Sequence, residues 1–158
     1  MDLRKSFVDN LIKLAERDKK IILFTCDLGF SFLERFAEKF PNRYKNMGIC
    51  EQNAIGVAAG LALGGFKPYV YSNAIFLLMR AYEQVRDEVC YNNLGVILCG
   101  TGASGFLGFS HNCNPANEDE LILKHLPNLQ LYFPKDKIEL NDIMNKSYKS
   151  KSPAYIRI

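Results

Sequence analysis

A chain of 158 residues with 48% hydrophobic and 23% charged side chains is long enough for one domain with a real core and too apolar to remain disordered. Twenty Lys and Arg against 17 Asp and Glu leave a net charge of +3, and the two signs are interspersed, which argues against the clustered basic face of a nucleic-acid binder. The opening segment MDLRKSFVDNLIKLAERDKK carries charges among its apolar positions, so it reads as neither a signal peptide nor a membrane span, and a cytoplasmic location is expected.

Leu3, Phe7, Leu11 and Leu14 share one face of a helix predicted over residues 2 to 18, and KKIILFTC follows as a buried strand. SFLERFAEKF reads as a helix stopped by Pro41. Residues 52 to 63 read as another, stopped by Gly64-Gly65 and followed by the strand KPYVYS. Leu78, Tyr82, Val85 and Val89 form a helical stripe within residues 75 to 92, and LGVILCG is an apolar run suited to a strand covered on both faces. A glycine-rich loop, a helix near 118 to 125, a strand LQLYF, a helix near 136 to 149 and a last strand AYIRI complete the series. Alternating strands and helices predict an α/β domain over residues 1 to 158, a doubly wound, mostly parallel sheet with sites at the carboxyl ends of its strands.

Five cysteines (Cys26, Cys50, Cys90, Cys99 and Cys113) form no CxxC and have no ligand-like spacing to His111 or His125. They read as reduced thiols, and no metal site is expected in this chain. GTGASG places Gly100, Gly102 and Gly105 as G-x-G-x-x-G after a strand, which invites a dinucleotide reading. The fingerprint requires a helix to open there, however, and FLGFSHNCNPANEDE has no helical apolar face. His111, between Ser110 and Asn112, could donate to a substrate oxygen or merely brace a loop. His125, in LILKHLPN, is expected to pack.

Glu51 heads the helix NAIGVAAGLALGG. As a capping residue it would contribute about 0.3–1 kcal/mol. Yet a helix so rich in glycine and alanine makes sense when something packs tightly against it, and a carboxylate at that boundary would lose water and become a candidate for sharing a proton.

MGICEQNAIGVAAGLALGGFKPYVYS resembles the pyrimidine-binding domain of the transketolase family, which includes deoxyxylulose-phosphate synthase and split enzymes of two chains. RAYEQVRDEV, SHN, NEDELILKHLPNLQLYFPKD and SPAYIRI continue the resemblance in order. It implies that Glu51 binds N1′ of the aminopyrimidine of thiamine diphosphate. That bond favours the imino tautomer, whose 4′-nitrogen removes the thiazolium C2 proton. It also implies that Phe76, or alternatively Tyr71, stacks on the pyrimidine, that Arg80 and Asp27 lie near the cofactor, and that His111 contacts substrate. Asn112 departs from the synthase pattern, where a second histidine stands.

The family's GDG motif and downstream Asn, which hold Mg²⁺ and the diphosphate, are missing from this sequence. The resemblance therefore implies a separate partner chain that carries them, a shared cofactor, an α2β2 heterotetramer and ketol transfer between sugars. An inactive regulatory or scaffolding subunit and a nucleotide-binding domain are the rival readings.

Overall fold

The computed structural model describes residues 2–102 and 117–158. Six parallel strands form one sheet in the order β2-β1-β3-β4-β6-β5. They are β1 (Ile21–Thr25), β2 (Tyr44–Asn46), β3 (Lys67–Asn73), β4 (Ile97–Thr101), β5 (Gln130–Tyr132) and β6 (Ala154–Arg157). Among the described residues five α-helices accompany them: α1 (Arg4–Arg17), α2 (Glu34–Lys39), α3 (Glu51–Leu63), α4 (Glu118–Leu123) and α5 (Lys137–Lys149). The doubly wound α/β expectation is met.

The strand period of two sorts side chains onto two cores. Tyr69 and Tyr71 of β3 join Ile21, Leu23, Ile97 and Ile156 under α1, α2 and α5. Val70, Phe24, Leu98 and Tyr155 lie on the opposite face, under α3 and α4. Large apolar side chains buried this fully contribute about 1.5–3 kcal/mol each. Asp136 caps α5, its Oδ1 accepting from the amides of Ile138 and Glu139 at 2.8 Å each, an arrangement worth about 1 kcal/mol.

Two local features depart from expectation. β2 is a three-residue edge strand, half-buried to exposed, too short and polar to show a period. The predicted helix over 75 to 92 contains two π-helical stretches, Phe76–Arg80 and Gln84–Tyr91, while still burying Leu78, Val85 and Val89. Such wide turns recur at functional sites.

The order of the strands reverses twice. After β1 the chain moves to β2 on one side, whereas after β3 it moves to β4 on the other, so a crevice opens between the carboxyl ends of β1 and β3. A second reversal lies between β4 and β6, because the chain passes over β6 to build β5 first.

Candidate active site

Glu51 stands at the first crevice, in the first turn of α3, with only 1% of its surface exposed. It does not act as a cap: Cys50, just before α3, holds the capping position with no side-chain cap, and its thiol donates to the Met47 carbonyl at 2.7 Å. The carboxylate instead turns toward β3 and the first π-helical stretch. Ser72 Oγ donates to Oε1 at 3.1 Å, and Arg80 Nη1 donates to Oε2 at 2.8 Å. A carboxylate offers about four acceptor positions, and among the described residues Glu51 fills one on each oxygen. It is buried, charge-paired and half-satisfied, which leaves room for one more donor.

Arg80 also touches Phe76: its guanidinium carbon lies 4.3 Å from the ring centroid. A cation over an aromatic face is favourable by about 0.5–1 kcal/mol at an exposed site, and the Arg80 side chain is 41% exposed. Glu51, Arg80 and half-buried Phe76 thus form one contiguous group. Ser72, which no sequence motif singles out, is the buried hydroxyl that orients Glu51; no spacing in the sequence marks it. Cys26, just past β1, lies close by. Burial pushes its thiol up to about 12, with the negative charge of Glu51 adding to the shift.

Tyr71 is not brought to this group. It occupies the other face of β3, with its ring stacked on Phe7 at 6.0 Å and edge-on to Phe32 at 5.7 Å. Burial raises its phenol well above the ordinary range. Strand alternation is the reason: Ser72 and Tyr71 are neighbours and must point to opposite faces. Of the two stacking candidates, only Phe76 is joined to Glu51, through Arg80. Asp27 lies at the same carboxyl edge of the sheet, exposed and in the left-handed region at φ +53°. Its amide is held by Asn46 Oδ1 at 3.0 Å, and the same oxygen accepts from the Gly48 amide just before α3. His111 lies outside the described residues, as do Gly105, Asn112 and Cys113.

One rival reading is weakened further, and one expectation is corrected. Gly100 does not begin a phosphate loop: it lies within β4, where a Cβ would come 2.5 Å from Tyr155 Oη. The glycine makes room for the tyrosine, which removes one glycine of the dinucleotide fingerprint. His125 is exposed rather than packed; α4 has ended at Leu123, and Leu123 and Leu126 fill the core positions. Among the described residues no group of three His, Cys, Asp or Glu could hold a metal, and no helix is long and apolar enough to cross a membrane.

Residues 1–158 match the family "Transketolase, pyrimidine binding domain". The chain belongs to this family. It is 36% identical over 152 residues to 1-deoxy-D-xylulose-5-phosphate synthase of Oleidesulfovibrio alaskensis, spanning 96% of this chain and 24% of that protein. It is 33% identical over 159 residues to one of the subunits of apulose-4-phosphate transketolase from Phocaeicola vulgatus, spanning 98% of this chain and 50% of that one. A solved structure described as "Split gene transketolase, inactive beta4 tetramer" superposes with a TM-score of 0.86 at 37% identity, covering 98% of this chain and 50% of that chain. The pyrimidine-binding domain described here therefore spans half or less of the length of these relatives.

Proposed function

We propose that this chain supplies the pyrimidine-binding half of a thiamine-diphosphate-dependent, transketolase-like enzyme that moves a two-carbon ketol unit between sugars. A separate chain would hold the diphosphate and Mg²⁺, with two copies of each in a heterotetramer. The observation that carries this reading is the half-satisfied Glu51 carboxylate beside the Phe76 ring. A buried carboxylate with an acceptor position to spare suits a ring nitrogen that must be held by a hydrogen bond, and an adjacent aromatic face suits a flat heterocycle.

The chain's own residues would act as follows. Glu51 shares a proton with N1′ of the aminopyrimidine, and Ser72 fixes the carboxylate's orientation from below. Phe76 stacks on the ring. Arg80 supplies positive charge at the mouth of the crevice, and Asp27 frames its opposite rim. His111 contacts the sugar. When bound, thiamine diphosphate supplies the carbon nucleophile for ketol transfer. The apulose-4-phosphate transketolase relative and the split-gene structure support a two-chain arrangement, since this chain covers 98% of itself and half of each.

Calorimetric titration of thiamine diphosphate with Mg²⁺ into this chain, into a candidate partner and into the mixture tests the proposal. Tight binding in the mixture alone is the expected result. Binding to this chain by itself would mean that the diphosphate site has been misplaced, and absence of binding in every pairing would leave the inactive scaffold as the better reading.

A further inference from the structure

The face of the sheet opposite Glu51 carries a second constellation that the proposed chemistry does not use. Between α1 and α5 lies an open cavity of about 310 Å³. Leu14 and Met144 give it an apolar floor, and three carboxamides, from Asn10, Asn141 and Asn145, line its walls. Lys13 and Arg17 stand at its rim, and no carboxylate lines it.

Three features of this group suit a ligand. Lys13 and Arg17 are like charges at i and i+4 on one helix, a destabilising spacing, and neither pairs with a described carboxylate. The acids of α1 and its end have other direct partners, Asp9 with Arg35, Glu16 with Lys39, and Asp18 with the Tyr148 hydroxyl at 3.1 Å, and Glu16 feels Lys13 and Arg17 only as more distant charges. Asn10 is only 9% exposed, yet its carboxamide makes no hydrogen bond with another described residue. That carboxamide faces the cavity, where water or a ligand can reach it. Asn141 and Asn145, one turn apart on α5, are poor helix formers placed at the cavity wall, and Asn145 Nδ2 reaches only back to the Asn141 carbonyl, at 2.9 Å.

We infer that the α1–α5 cavity is a binding site for the phosphate group of a small metabolite, held by Lys13 and Arg17, with Asn10, Asn141 and Asn145 bonding its polar body. Two cations match a phosphate dianion, and the guanidinium's fork of donors suits its oxygens. Carboxamides both donate and accept, which suits hydroxyls on the ester side. The limited size of the cavity and the presence of only two cations at its rim favour a small molecule over a nucleic-acid backbone. This site lies under the other core and does not depend on the pyrimidine reading of Glu51.

The test uses the full ¹⁵N-labelled chain at low ionic strength and follows the side-chain amide signals of Asn10, Asn141 and Asn145 by NMR. Glycerol 3-phosphate should shift all three saturably, with a Kd on the order of 1 mM. Glycerol should shift none of them. Lys13→Gln with Arg17→Gln, both at exposed positions, should weaken binding by about tenfold or more. Inorganic phosphate binding as tightly as the ester would also support the site and identify free phosphate as its ligand. Shifts that are absent, that grow linearly without saturation, or that persist unchanged in the double variant would overturn the inference.

Discussion

Glu51 and Asp119 are both buried carboxylates at the two places where the strand order reverses, and each meets one arginine and one hydroxyl. Their bonding differs in how much of each carboxylate is already taken. Asp119, fully buried at the start of α4, accepts from Tyr155 Oη at 2.7 Å, from Arg157 Nε at 2.8 Å, from Arg157 Nη2, and from the Glu120 amide at 3.0 Å. All of its roughly four acceptor positions are taken. Its arginine grips with both nitrogens, is only 26% exposed, and lies 4.3 Å over the Phe133 ring. Glu51 has two positions filled, and its arginine reaches it through a single nitrogen from a 41% exposed side chain. A saturated carboxylate ties α4 to β6, whereas a half-saturated one can still receive a ligand.

The sharpest way to break this contrast is Glu51→Gln. Assayed with its partner chain, the variant should lose about 10²–10⁴-fold in turnover, the range of a proton-transfer contribution, while its unfolding midpoint stays near that of the wild type. Near-normal turnover would sink the proposed role. Asp119→Ala should behave in the opposite sense, losing about 3–5 kcal/mol of stability in urea denaturation because the half-buried Arg157 loses its buried carboxylate partner. A loss below about 1 kcal/mol would mean that the saturated network does not hold the fold.

Gly100→Ala probes the same lock more gently. Its Cβ would press on Tyr155, 2.5 Å from Oη and 2.6 Å from Cε2, so a loss of about 1–3 kcal/mol is expected from overpacking. Unchanged stability would show that Tyr155 can move without releasing Asp119.

The smallest effect concerns neither crevice but the opposite end of β3. Burial pushes Lys67 down to about 8 from 10.5, and its ammonium donates to the Ser150 carbonyl at 2.7 Å. Its folded pKa is the lower one, so the unfolded chain binds more protons above about pH 8 and stability should rise with pH there. Above the ordinary thiol value of 9.0 the sign reverses. Burial holds Cys26 and Cys90 up to about 12, so these thiols ionise first in the unfolded chain. Between pH 7 and 9 the Lys67 and thiol contributions oppose each other in the wild type, so urea midpoints should fall more steeply in Lys67→Met, where only the thiol contribution remains; an equal slope in both would refute the assignment to Lys67.

The legibility of the sequence followed the length and regularity of each signal. β1 and β4 are largely apolar runs, β3 centres on the apolar run Tyr69–Tyr71, and α1 and α5 carry an apolar stripe, so each could be read from its local pattern. The strand β2, three residues of YKN at an exposed edge, carries no period to read. The carboxylate at the head of α3 was visible because it interrupts a run of small apolar residues. Ser72 was invisible as its partner, since a serine on a strand 21 positions away bears no local mark. The small residues of α3 have in part an internal cause: a Cβ at Gly56 would fall 2.9 Å from Glu88 Oε2, on the neighbouring helical segment. Gly60 meets nothing within 4 Å, and Val57 and Leu63 stay 40% and 74% exposed, so the outer side of the same helix is open.

The sequence by itself determined the alternation of strands and helices, the parallel sheet, the family and the candidate carboxylate, because these depend on local periodicity and on residues adjacent in the chain. Only the tertiary structure decided which aromatic stands beside Glu51, which hydroxyl and arginine hold it, that Gly100 belongs to a tyrosine and not to a phosphate, and that three asparagines from two helices meet at one cavity. Those facts depend on which face of a strand turns toward which helix and on how distant segments pack, and a one-dimensional pattern does not encode such choices locally.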